Sequence, residues 1–187
     1  KATKGKDGYT LSGTKRFVTP AAGADGFVVS ASDGGKTALF YLPANTAGVE
    51  VKLERRVDGT FCGLVSFKDA KVEAVAASTA VGAAALQRAI DEATIVAAAE
   101  LSGVMANVLE LTLNYMKTRV QFGRPIAQFQ ALQFRMVDMK VAEEESRASC
   151  LLATLSLDGP AAQRSRAVSG AKAKIGRSAR AVHQAAI

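Results

Sequence analysis

The hydrophobic period of this chain changes once, near Ala76, and that change restricts what it can fold into. Before it, short apolar runs (Tyr9–Leu11, Phe17–Thr19, Phe27–Ser30, Ala38–Leu42, Val49–Leu53 and Gly63–Phe67) are separated by Gly, Asp, Asn and Pro at turn-like spacing. Runs this short and this punctuated suit strands. Gly5-Lys-Asp-Gly8 and Asp33-Gly-Gly35 carry the residues that tight hairpin turns require. Residues 1–75 are therefore expected to form an antiparallel β-domain, sandwich- or barrel-like.

Residues 76–85 are nearly all small, which suits a linker and a helix start. Apolar residues then recur at steps of three or four: Leu86, Ile90, Ala93, Ala97, Leu101, Val104, Val108, Leu111 and Tyr115. That spacing predicts one long helix with a single apolar face. The G-R-P-I stretch at 123–126 breaks it, because Pro125 lacks a donor and restricts the residue before it. The helical period returns from Gln128 to Leu157 along two apolar lines. One runs through Leu132, Met136, Met139 and Cys150, the other through Phe134, Val137, Val141, Ala148, Leu152 and Leu155. Two lines predict contact with more than one neighbour.

Asp158-Gly-Pro160 stops this helix. A third starts at Ala161, with Val168, Ala171, Ile175, Val182 and Ala186 inward. Long helices joined by short turns are antiparallel neighbours, and a fourth is wanted to close such a bundle. The expected class is α+β: a β-domain over 1–75, incomplete at its N-terminus, then an antiparallel helical bundle over 76–187 missing its last helix. The chain reads as a fragment of a larger protein.

Apolar residues make up 49% of the chain and charged residues 22%, enough for a core and too apolar for disorder. No apolar run reaches the roughly 20 residues of a membrane span, so none is expected. Cys62 and Cys150 are too few for a disulfide framework, and a cytoplasmic location follows. The net charge is +7, and residues 161–187 hold six cations and no acid. No aromatic residue interleaves with them, so a solvated face, or one that meets acidic helices, is expected rather than a nucleic-acid site.

There is no P-loop, no G-x-G-x-x-G after a strand, no C-x-x-C and no G-x-S-x-G. His183 is the only histidine, which argues against a His-dependent triad or a two-His metal site within the chain; it is expected to pack or to face solvent. What remains suits a bound organic cofactor, which needs placement and tuning more than protein chemistry. The string R-V-Q-F-G-R-P-I-A-Q-F-Q at Arg119–Gln130 offers the parts. Arg119 offers a planar fork to a pyrophosphate. Gln121 offers a donor and an acceptor, Phe122 a flat face, and Gln130 a reader for a polar ring edge. An ordinary helix corner, with Arg119 capping carbonyls and Phe122 filling the core, uses the same residues equally well.

This string resembles the signature at the helix–helix corner of the acyl-CoA dehydrogenase C-terminal domain. Leu11-Ser-Gly-Thr-Lys-Arg-Phe-Val-Thr19, with Ala24-Asp25 and Phe27-Val-Val29, is similar to that family's G-x-K-x-W-I-T-N-G-x-x-A-D segment. Gly48-Val49, Asp58 and Val65-Ser-Phe-Lys-Asp69 resemble the marks that close its middle β-domain. The resemblance implies an FAD-dependent enzyme that takes a proton from Cα of an acyl-CoA thioester and passes a hydride from Cβ to flavin N5. It implies that Thr19 meets the flavin near N5 and that Phe17, where the family has Trp, lies against the isoalloxazine. It implies that Arg119, Gln121, Phe122, Ile126, Phe129 and Gln130 touch FAD across a subunit interface.

Implied partners are an acyl-CoA substrate, an electron-transfer flavoprotein, and other subunits in a homodimer, homotetramer or heterotetramer. The family's Asn after the Thr is Pro20 here. The family's usual catalytic Glu corresponds to sequence beyond Ile187. Where some members carry the base instead, this chain has Ala93 and Thr94, with Asp91 and Glu92 nearby as expected solvated residues, so no catalytic residue is assigned. Two further classes stay open: a non-catalytic FAD-binding subunit of a heteromeric dehydrogenase, and a cofactor-free helical oligomerisation module.

Overall fold

The computed structural model describes residues 1–187, which group into two compact units, Lys1–Gln87 and Arg88–Ile187. The first unit holds seven strands: β1 (Ala2–Gly5), β2 (Gly8–Val18), β3 (Gly26–Asp33), β4 (Lys36–Pro43), β5 (Val49–Arg55), β6 (Phe61–Lys71) and β7 (Ala74–Ala77). They form two antiparallel sheets, ordered β1-β2-β6-β5 and β3-β4-β7. Alternation along each strand drives one face of each sheet inward. Leu11, Val65 and Phe67 of the first sheet meet Phe27, Val29, Ala38, Phe40 and Leu42 of the second in one core. This is a sandwich; the sheets do not close into a barrel.

The expected hairpins form. Gly5 pairs with Gly8, and Asp33 pairs with Lys36 across Gly34 and Gly35 at φ 56° and 84°, the left-handed pair that a two-residue hairpin turn requires. The runs Tyr9–Leu11 and Phe17–Thr19, which read as separate strands, fall on one strand, β2, which stops at Val18, just before Thr19, with register shifts between Leu11 and Gly13 and between Lys15 and Val18. β1 and β7 had no signal in the sequence, being four residues each and rich in Ala, Gly, Lys and Thr.

Helix α1 (Gly82–Thr118) begins in the first unit and runs through the second, followed by α2 (Gln130–Leu155) and α3 (Ala161–Ala185). The inward face of α1 differs from the expected one. The buried line is Asp91, Ile95, Ala98, Ser102, Met105, Leu109 and Met116, whereas Ile90, Val104, Leu111 and Tyr115 are exposed. Of the two lines on α2, the one through Met139 points inward; Phe134, Val137, Val141, Leu152 and Leu155 are exposed. The α3 line is as expected, with Val168, Ala171, Ile175 and Val182 buried. Two clusters join the helices: Ile95 and Ala98 with Ala153, Val168, Ala171 and Ile175, and Met105 and Leu109 with Met139, Ala179 and Val182.

By length and composition alone, one stretch of α1 is apolar enough to cross a membrane, although single residues such as Glu100 and Glu110 keep any unbroken apolar run short. Its inward line is nevertheless packed against α2 and α3.

Candidate functional site

Between α1 and α2 the chain makes a miniature hairpin. β8 (Val120–Gln121) pairs with β9 (Arg124–Pro125), so Phe122 and Gly123 form the turn. The turn thus lies one residue before the expected G-R-P-I break. The Ile126 amide donates to the Arg119 carbonyl at 2.9 Å. A single 3-10 turn, Ile126–Gln128, then leads to Phe129 and into α2, of which Gln130 is the first residue.

Both halves of the ordinary-corner alternative fail here. Phe122 does not fill the core: it is 91% exposed. The Arg119 side chain caps no carbonyl; its bonds are made by its backbone, the amide donating to the Tyr115 carbonyl and the carbonyl accepting from the Ile126 amide. Gln121 is exposed and donates to its neighbour's carbonyl, Val120, at 2.9 Å. Ile126 and Phe129 are half-buried and Gln130 is exposed. Phe129 is a platform for the corner, with the Phe122 ring edge-on at 6.1 Å and the Arg124 guanidinium 4.3 Å from its centroid. Sequence reasoning passed over Arg124, although its place after Phe122-Gly123 was visible.

The backbone isolates the same residues. Three non-glycine residues have positive φ: Phe17 at 56°, Asp69 at 49° and Phe122 at 53°. This conformation crowds a Cβ against the backbone and costs roughly 1–2 kcal/mol per residue. Two of the three are the aromatic candidates for a ring-stacking role.

In the first unit, Phe17 is the last residue but one of β2 and is 73% exposed, with the Arg16 guanidinium 5.4 Å from its ring centroid. The Thr19–Pro20 peptide is cis. Phe17 and Thr19 line an open cleft of about 850 Å³ together with Glu54, Arg55, Arg56, Val57, Asp58 and Cys62. The second group arrives through pairing: Val18 lies opposite Gly63, and Glu54 opposite Cys62. Among them Asp58 and Cys62 stood out in the sequence, Cys62 only as a thiol, and nothing local marked the rest. Asp58 accepts from the Thr60 hydroxyl at 2.6 Å and the Thr60 amide at 3.0 Å, and pairs with Arg56 at 3.5 Å. The Thr60 bonds first, then the Arg56 charge, hold its carboxyl below the usual carboxylate range.

Asp91 is not a solvated helix residue. It is 3% exposed, accepting from Arg164 at 3.0 Å and Ser165 at 2.8 Å. Burying a carboxylate in a helix core requires such a partner. Glu92 pairs with Arg88 at 2.5 Å. Ala93 is exposed and Thr94 half-buried. The cations of α3 divide: Arg164 and Lys174 meet Asp91 and Glu145 on the neighbouring helices, while Arg166, Lys172, Arg177 and Arg180 face solvent. His183 is half-buried, its Nδ1 bonded to the Ala179 carbonyl at 2.5 Å.

A family model for the acyl-CoA dehydrogenase C-terminal domain matches residues 80–187. The short-chain specific acyl-CoA dehydrogenase of Megasphaera elsdenii is 33% identical over 158 residues, covering 78% of this chain and 41% of that protein. Among solved structures, PigA with FAD and proline superimposes with a TM-score of 0.89 at 26% identity, covering 100% of this chain and 52% of its own. The ChsE4–ChsE5 complex from Mycobacterium tuberculosis gives a TM-score of 0.78 at 28% identity, covering 98% of this chain and 51% of the matched one. The chain therefore spans about two fifths to one half of the length of these proteins.

Proposed function

Because this chain belongs to the acyl-CoA dehydrogenase family, we propose that it is part of an FAD-dependent acyl-CoA dehydrogenase that oxidises an acyl-CoA thioester between Cα and Cβ. Residues 1–75 act as its middle β-domain and residues 76–187 as its C-terminal helical domain. The observation that carries this reading is the strain at Phe17 and Phe122: both are aromatic, both have positive φ, and both rings are exposed. Strain of this kind persists where function, not stability, selects the conformation.

The donor set fits FAD. Arg119 and Gln121 offer a guanidinium fork and an amide from an exposed corner, as a pyrophosphate and a polar ring edge require. Phe17 and Thr19 put a flat ring and a hydroxyl into one cleft. FAD, when bound, supplies the hydride acceptor. Thr19 would offer its hydroxyl to the flavin near N5, and Phe17 would cover the isoalloxazine. Arg119, Gln121, Phe122, Ile126, Phe129 and Gln130 would hold the pyrophosphate and adenine portion of an FAD carried by a neighbouring subunit. Binding holds both reacting carbons of the thioester against the ring. Electrons leave through an electron-transfer flavoprotein, and the free thiols of Cys62 and Cys150 are in keeping with a cytoplasmic setting.

The proton at Cα needs a carboxylate base. Asp91 is engaged by Arg164 and Ser165, and Glu92 by Arg88. The base therefore comes from another segment or another subunit. That engagement, with Ala93 and Thr94 on the same turn, favours a second reading: an FAD-holding subunit of a heteromeric enzyme whose paralogue supplies the base.

The test is the full-length protein, purified alone and with any co-expressed paralogue. A flavin spectrum and anaerobic bleaching by an acyl-CoA are expected. Flavin with bleaching only in the presence of the paralogue selects the second reading. A colourless protein that cannot be reconstituted with FAD leaves only a cofactor-free oligomerisation module.

A further inference from the structure

The β5–β6 turn supplies much of the wall of the Phe17–Thr19 cleft, and its charges are unequally engaged. Arg56 pairs with Asp58, and its amide donates to the Thr60 carbonyl at 2.8 Å. Asp58 in turn holds the Thr60 amide and hydroxyl. The turn is thus shaped by its own bonds before any ligand arrives. Arg55 stands just before it, in register with Phe61, and its guanidinium makes no hydrogen bond or ion pair. By strand alternation Arg55 shares the β5 face that carries Val49 and Val51 to the core. An unpaired, planar, five-donor cation ends this row, beside an exposed aromatic ring and a hydroxyl. Such a set matches an anionic oxygen group carried on a largely apolar ligand.

We propose that Arg55 binds a carboxylate or phosphate of the molecule that occupies the Phe17–Thr19 cleft; this rests on the function proposed above. Three sources carry that chemistry: a remote carboxylate on the acyl chain, the phosphates of coenzyme A, and the pyrophosphate of the cofactor.

The full-length flavoprotein is compared with its Arg55→Met and Arg55→Lys variants. FAD retention through gel filtration reports the cofactor. KM for a CoA thioester against the pantetheine thioester of the same acyl group reports the CoA phosphates. KM for acyl-CoA with and without a terminal carboxylate reports the acyl chain. Arg55→Met is expected to weaken one of these by about tenfold or more, the scale of a lost charged hydrogen bond. For a KM effect, kcat stays within about twofold, and Arg55→Lys recovers only part because it lacks the fork. Parent and Arg55→Met equal in all three, in an active enzyme, overturn this inference alone. So does a uniform loss in all three accompanied by a lower melting temperature, which marks a structural role. A parent protein that neither holds flavin nor oxidises any thioester overturns the proposed function and this inference together.

Discussion

A phenylalanine at φ 53° with its ring in solvent costs the fold twice: its backbone is crowded, and its apolar surface stays wet. If Phe122 serves the cofactor, Phe122→Gly should leave the melting temperature unchanged or raised, because relief of about 1–2 kcal/mol of strain offsets the roughly 0.5–1 kcal/mol entropic cost of Gly. FAD retention should fall. A lower melting temperature with intact FAD retention would show that the ring serves folding instead. Thr19→Val keeps the shape and drops the hydroxyl; it should slow flavin reduction roughly tenfold or more, with FAD binding much less changed. Equal reduction rates in rapid mixing would make Thr19 an ordinary residue of the cleft.

Asp58 gives a pH signature. Its folded-state value is lowered, so its bonds stabilise the turn above the ordinary value of 3.8 and are lost as pH falls through the lowered one. The Thr60 amide resonance should titrate with a midpoint below 3.8, and the step should vanish in Asp58→Asn. A midpoint at or above 3.8 would mean that the Thr60 bonds do not hold the carboxylate.

At the scale of elements, α1 shows how a helix can be read correctly and oriented wrongly. Apolar residues cover two adjacent stripes, each with large side chains: Ile95, Met105, Leu109 and Met116 on the buried one, Ile90, Val104, Leu111 and Tyr115 on the exposed one. The buried stripe carries Ala98 and Ser102, small enough for close approach, and Asp91, which is tolerable only because Arg164 on α3 meets it. Both are almost fully buried, so Asp91→Ala should cost about 3–5 kcal/mol in urea unfolding by stranding Arg164. Replacing both, Asp91→Leu with Arg164→Met, should recover most of that. Additive losses would mean that the two side chains are not coupled.

For the whole molecule, the unassigned surface is apolar. On α2, Phe134, Val137, Val141, Leu152 and Leu155 form an exposed stripe opposite the inward Met139, Glu143 and Ser146. On α1, Ile90, Val104, Leu111 and Tyr115 form another. Apolar stripes of this length ask for partners. The full-length protein is expected to be a homodimer, a homotetramer or a heterotetramer with a paralogue. Val141→Glu should shift it to a smaller species with helicity retained. A monomeric parent at micromolar concentration by light scattering would contradict this.

The sequence by itself determined the order of strands then helices, the hairpins at Gly5–Gly8 and Gly34–Gly35, the break between α2 and α3 around Asp158-Gly-Pro160 and the inward line of α3. Each of these is local: a turn residue, a breaker or a periodic stripe acts within a few positions. The corner at Arg119–Gln130 was legible for the same reason, since its residues are contiguous. The tertiary structure alone decided the inward faces of α1 and α2, the burial of Asp91, the exposure of Phe122, and the gathering of Arg55, Asp58 and Cys62 around Phe17 and Thr19. Those depend on partners dozens of residues away. Composition states which residues could be buried, and only packing selects which stripe meets a neighbour and which cation meets a carboxylate.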